Sequence, residues 1–175
     1  MSAQTILPFP VTEKRASTVA GLAGLLGTEY TISDHARGVI VVRLCQLDLA
    51  AGTAVPLDKV FIGTTSTGIP DHQVKPCTAK TDRAYGIGMT AEALVDNDYF
   101  FVQVDGLMSI FMGDDGTDTV IGQAMGCDDD ADTGAAYNTT RTLATAIAID
   151  IAIAREVVTG TDESVLCAPI RKLYG

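Results

Sequence analysis

The side chains that could do chemistry are two histidines, four cysteines and a dense set of aspartates. Both histidines follow an aspartate, as Asp34-His35 and Asp71-His72. An Asp–His dyad would supply a general base. Neighbours on an extended chain point to opposite sides, however, so neither pair makes a dyad by itself. Cys45, Cys77, Cys127 and Cys167 are the potential nucleophiles. No local signature joins Cys45 or Cys77 to His35 or His72, and no Gly-x-Ser-x-Gly elbow is present. The cysteines are far apart, without a Cys-x-x-Cys or a nearby paired His, which argues against zinc. They read as reduced and mostly buried, in a protein made in a cytoplasm. The histidines read as surface loop residues.

Asp128, Asp130 and Asp132 alternate as in the opening of an EF-hand loop, and the pattern then fails. Thr133 stands where the turn glycine belongs and Thr139 where the bidentate Glu belongs. An irregular calcium loop at 128–132, or at Asp114, Asp115 and Asp118, stays open beside the reading of a plain acidic loop. Gly86-Ile87-Gly88 lacks the third glycine and the following helix of a phosphate cradle, and reads as a place where a strand bends or bulges. Carboxylates are so many that no pair singles itself out for glycoside hydrolysis. The sequence therefore yields no catalytic residue, no metal ligand set and no cofactor site, and favours binding or structural work over catalysis.

The elements that would position these residues are strands. Tyr85–Thr90, Asp98–Asp105, Leu107–Met112 and Thr117–Met125 are short apolar runs closed by Gly and Asp. In the second, Phe100, Val102 and Val104 share one face and Tyr99, Phe101 and Gln103 the other. Gly38–Leu49 is a further strand, with Val39, Val41, Arg43, Cys45 and Leu47 opposite Ile40, Val42, Leu44 and Gln46. Leu57–Thr64 is another, followed by a loop over Thr65–Lys80. After the polar loop Gly126–Thr140, Leu143–Val158 alternates Ile147, Ile149, Ile151 and Ile153 with small residues, which predicts a strand with all four isoleucines on one side. Ser164–Ile170 returns as its hairpin partner. Residues 1–37 differ: Pro8 and Pro10 make the start extended, and Ala16–Leu26 predicts a short helix weakened by Gly21 and Gly24. The expected architecture is mostly β, a compact antiparallel barrel or sandwich at residues 38–175 with an extended or short-helical N-terminal arm at 1–37.

At 175 residues the chain fits one domain with a real core. The net charge is −10. Ala84–Thr140 holds eleven acids and no Lys, Arg or His, so the rest of the chain sums to about +1. That stretch would repel phosphates, which argues against nucleic acid. It reads as a solvated acidic face, or as a face turned outward or toward a basic partner. No run nears the ~20 apolar residues of a membrane span, and the N-terminus lacks a signal-peptide pattern.

Gly38 to Arg171 resembles the small β-rich decoration (cement) proteins of tailed-bacteriophage capsids. The residues that carry the likeness are AYGIGMTAEAL, then VDNDYFFVQVDG, a short strand, GDDGTDTVIGQAMG, an acidic loop, and IAIDIAIAREVVTGTDESVLCAPI. The resemblance implies a non-enzymatic virion protein, assembled in the host cytoplasm and seated on the outer capsid surface. It implies the major capsid protein as partner and a homotrimer as oligomer; the arm at 1–37 lies outside the likeness and is expected to reach across to a neighbouring subunit. The competing expectation is a free-standing β-sandwich that binds carbohydrate or calcium. For carbohydrate, its contact surface would have to come from Tyr85, Tyr99, Phe101 and Tyr137.

Overall fold

The computed structural model describes residues 6–64, 72–113, 118–128, 134–142, 150–159 and 163–173. The chain is mostly β, as its alternation predicts. The first six strands are β1 (Glu29–Asp34), β2 (Gly38–Leu47), β3 (Val60–Gly63), β4 (Gln73–Pro76), β5 (Ala84–Gly88) and β6 (Tyr99–Asp105). They run in the order β1-β2-β4-β3-β5-β6, and β6 also pairs with β2. Five strands thus close into a barrel, with β1 appended to β2. All these pairings are antiparallel except β2–β4.

The second group is β7 (Met108–Phe111), β8 (Gln123–Cys127), β9 (Ala136–Thr142), β10 (Ala152–Ala154) and β11 (Ser164–Pro169), ordered β7-β11-β10-β8-β9. A parallel bridge from Met112 to Ala136 ties the β7 edge toward the β9 edge and curls this sheet. The expected hairpin forms: Ala152, Ile153 and Ala154 pair with Pro169, Ala168 and Cys167.

Strand β2 owes its length to having both faces buried. Cys45 and Leu47 point into the barrel with Phe100, Val102 and Val104 of β6, in a core that continues through Met108, Ile110, Met125, Ile151 and Val165 of the second sheet. Ile40, Val42 and Leu44 point the other way, with Tyr99 and Phe101, under a cover made by Phe9, Leu22, Tyr30 and Met89. The predicted division of faces on β2 and β6 therefore holds, and each face has its own core.

Phe9, Leu22 and Tyr30 of that cover come from the segment read as an arm. Residues 6–34 lie on their own barrel: Arg15 and Tyr99 exchange backbone hydrogen bonds of 2.9 and 2.7 Å, and β1 forms a hairpin with β2. The turn of that hairpin is set by Asp34, whose Oδ1 accepts the Ala36 and Arg37 N–H groups at 2.9 and 2.8 Å.

Several expectations are corrected. The Ala16–Leu26 helix is reduced to a single 3-10 turn over Ala23–Leu25, because Gly21 takes φ +89. The Thr65–Lys80 loop contains β4, whose described partners lie in β2 and β3. The polar loop Gly126–Thr140 contains the start of β9. The strand expected over Thr117–Met125 begins only at Gln123, because Gln123 N–H closes a turn onto the Val120 carbonyl at 3.0 Å and Gly122 sits at φ +87. Ile147 and Ile149 lie outside the described residues. Ile151 and Ile153 are buried, and so are Ala152 and Ala154, so this strand has no solvent face.

Candidate functional site

His72 heads a series of polar side-chain contacts. It was expected at the surface beside His35, and only His35 is exposed. His72 is half-buried at φ +58, with Nδ1 hydrogen-bonded to the Tyr85 hydroxyl at 2.5 Å. The Tyr85 ring lies 4.5 Å from the Arg43 guanidinium. Arg43, the one charged side chain in β2, is buried in turn and donates from Nη2 to Glu29 Oε1 at 2.6 Å. Lys172 pairs with the other Glu29 oxygen. The result is a chain of contacts from β5 through β2 and β1 to the C-terminal residues, where Leu173 N–H also donates to the Val104 carbonyl at 2.9 Å.

The chemistry of this cluster is bracing. Burial, first of all, pushes the Tyr85 phenol up to about 12, so it stays protonated at neutral pH. Burial also opposes the charge on Arg43, and only its hydrogen bond to Glu29 together with the field of the neighbouring Tyr85, Cys45 and Glu29 outweighs that. Sequence reading missed the cluster because its members are far apart in the chain. The one available signal was Arg43 itself, a charge inside the apolar run GVIVVRLCQL.

The four cysteines are free and buried, as expected. Burial raises the Cys45 thiol and lifts Cys167 to about 12. Cys127 is raised first by its hydrogen bond with Cys77 and then by burial. Cys77 in turn donates to the Ala135 carbonyl at 3.3 Å. Raised thiols are poor nucleophiles, since the thiolate is the reactive form. These side chains fill space where the barrel meets the second sheet.

The acids divide. Asp98 is buried, accepting from Lys14 Nζ at 2.9 Å and from Val95 N–H at 3.0 Å. Asp128 is buried with Lys80 Nζ at 3.8 Å. Asp105 accepts the Gly106 N–H and Asp96 the Leu49 N–H, so part of the acidic stretch builds turns. Glu92, Asp96 and Asp118 are exposed. Among the described residues, no three His, Cys, Asp or Glu side chains are grouped to hold a metal. Asp114, Asp115, Asp130 and Asp132 lie outside the described residues, so the two suggested calcium loops fall largely there.

Gly86 and Gly88 serve close packing. A β-carbon on Gly86 would meet Val102 Cγ2 at 2.5 Å, and one on Gly88 would run into the Pro56 carbonyl. The β3–β5 register also shifts at Phe61 and Ile62, opposite Gly86.

What remains at the surface is apolar as well as acidic. Val55, Leu57 and Val95 are exposed around the Ala54–Leu94 bridge. Val120, Ile121 and Val157 are exposed around the Thr119–Val158 bridge. Sequence reading missed both groups, because such residues in short runs look like strand cores.

No protein-family model and no curated protein matches this chain. Among solved structures, it is similar to the head fiber gp8.5 N base in bacteriophage phi29. The identity is 13%, over 78% of this chain and 99% of that chain, with a TM-score of 0.47. Likeness at that level carries nothing about partner or activity.

Proposed function

We propose that this chain is a structural protein of a tailed-bacteriophage virion. It binds the outer surface of the assembled capsid and stabilises the shell by bridging major capsid subunits. The reading rests on the resemblance of Gly38 to Arg171 to the decoration proteins, on the stretches quoted above. Those stretches supply strands to both the barrel and the second sheet, among them β5, β6, β10 and β11, whose side chains share one core. The fates of the reactive groups favour the same reading. His72 braces Tyr85 and the four cysteines are buried, so these side chains serve the fold.

Such a protein would act by mass action. It binds the assembled lattice in preference to the free subunit and so shifts the equilibrium toward the shell. Many copies on one lattice, and a trimeric form of each unit, would add avidity. The acidic balance keeps it off packaged nucleic acid. In this reading the chain performs no catalysis. The carbohydrate-binding alternative loses its aromatic platform, because Tyr85, Tyr99 and Phe101 are all buried.

The test is quantitative mass spectrometry of purified virus particles, with this chain counted against the major capsid protein. Hundreds of copies per particle are expected. Absence from the particle would overturn the proposal.

A further inference from the structure

Three apolar side chains stand in water at one corner of the second sheet: Val120 is 56% exposed, Ile121 61% and Val157 58%. The backbone explains why they stand together. Thr119 pairs antiparallel with Val158 and donates its N–H to the Val158 carbonyl at 2.9 Å. Thr119 is buried, and Val158 packs on the core. One residue further along each strand, alternation turns Val120 and Val157 outward, as cross-strand neighbours on one face. Ile121 then sits at the tip of the Val120–Gln123 turn, which Gly122 closes at φ +87. Turn tips ordinarily carry small polar residues. Here Val-Ile occupies one, and none of the three side chains belongs to either core.

Clustered apolar groups that the fold does not use point to a partner, and charge selects which. Exposed Asp118 and Glu156 flank the patch, the second fixed there by the Leu166 N–H at 2.6 Å, and Arg155 is the adjoining cation. Val120 and Ile121 come from the stretch Ala84–Thr140, which has no basic residue. A second copy of this chain seated on the patch would bring the same two carboxylates against these, so like charges would oppose that contact. A surface with basic residues around an apolar depression satisfies both features.

We infer that Val120, Ile121 and Val157 form the anchor by which this chain docks into an apolar depression edged by Lys or Arg on the outer face of the capsid protein. The inference rests on the capsid-binding reading above and adds to it the docking surface.

The experiment uses the full chain and purified expanded capsids that lack it, mixed and pelleted over a range of concentrations. The triple variant V120S/I121S/V157S is expected to bind about tenfold or more weakly. Its melting temperature should stay within about 2 °C of the parent, because the deleted groups already lie in water. I121S alone, at the turn tip, should weaken binding in the same direction. V39S removes another exposed valine, 65% exposed on β2, and should leave binding unchanged. Added salt should weaken the parent's binding by screening the rim.

Equal binding by parent and triple variant would overturn the anchor and leave the capsid reading standing. No binding by the parent would overturn both. Binding indifferent to salt would overturn the basic rim. If, without capsids, the triple substitution converts an oligomer of this chain to monomers, the patch belongs to a second copy and the inference fails.

Discussion

Arg43 and Glu29 sit directly opposite one another in the β1–β2 register, and the guanidinium donates to the carboxylate at 2.6 Å. Arg43 is buried, while the Glu29 side chain is 30% exposed and shared with Lys172. A single carboxylate thus serves two cations, one of them without water. Glu29→Gln keeps the shape and removes the charge that the buried guanidinium needs. It should cost about 1–3 kcal/mol, toward the lower end because Glu29 is partly solvated. For a chain of this size that is a fall in melting temperature of roughly 2–12 °C. An unchanged melting curve would mean that the pair contributes nothing to stability.

The same carboxylate makes stability depend on pH. Burial raises the Glu29 pKa, but hydrogen bonds from Lys172 and Arg43, with their charges, outweigh burial and hold it below 4.5. A depressed folded-state pKa gives stability that is complete above the unfolded value and is lost as pH falls through the folded one. Asp34 is also lowered, first by the Arg37 N–H, partly opposed by desolvation, and further by the Ala36 N–H. Thermal melts between about pH 6 and pH 3 should therefore be flat at first and then fall. In Glu29→Gln the fall should be shallower, with Asp34 left to contribute. Parallel curves for the two proteins would exclude Glu29 as a linked group.

Much of this fold was legible because β2 and β6 alternate cleanly and are long enough to show it. Their two faces could be assigned residue by residue. Strands β4 and β9 were not legible. The first has four residues ending in Pro76, and the second begins inside a polar run, so long-range pairing makes them strands where local pattern does not. The Val120–Ile121 pair misled in the opposite sense, since an apolar run with a following glycine has the composition of a strand and the geometry of a turn. The His72–Tyr85–Arg43–Glu29 cluster was invisible, because no local spacing encodes contacts among four residues so far apart in the chain.

Gly27 and His72 are expected to be coupled. Gly27 has φ +78, and a β-carbon there would lie 2.1 to 2.4 Å from three atoms of the His72 imidazole, far inside contact distance. Gly27→Ala should destabilise through both the left-handed backbone and this overlap, by roughly 1–3 kcal/mol. His72→Ala removes the overlap but not the backbone strain. The double variant should then be more stable than the sum of the single effects allows, by about 0.5 kcal/mol or more. Additive effects in a double-mutant cycle of urea melts would show that the imidazole moves aside freely.

Phe9 tests whether the N-terminal segment is part of the folded core. Its ring lies 4.9 Å from Phe101 and 5.1 Å from the Arg15 guanidinium, closing the cover over Ile40, Val42 and Leu44. Phe9→Ala should cost about 3 kcal/mol, seen as a melting temperature lower by roughly 6–12 °C. A dispensable arm would give no change. Truncation of residues 1–34 would remove β1 and this cover together, so lost capsid binding in a truncated chain would report unfolding before it reported docking.

The thiols give the last prediction. A thiol at about 12, as for Cys167, is on the order of one part in ten thousand thiolate at about pH 8, against roughly a quarter for a free cysteine. Cys45 and Cys127 are raised further, and Cys77 is buried with its thiol hydrogen donated to Ala135. Iodoacetamide should therefore modify the native chain on the order of a thousandfold more slowly than the chain in denaturant, where all four cysteines react. Intact-mass spectrometry after brief labelling reads this directly. Rapid labelling of the native chain at any cysteine would show that the junction between the barrel and the second sheet opens to solvent. It would also return that cysteine to consideration as a nucleophile.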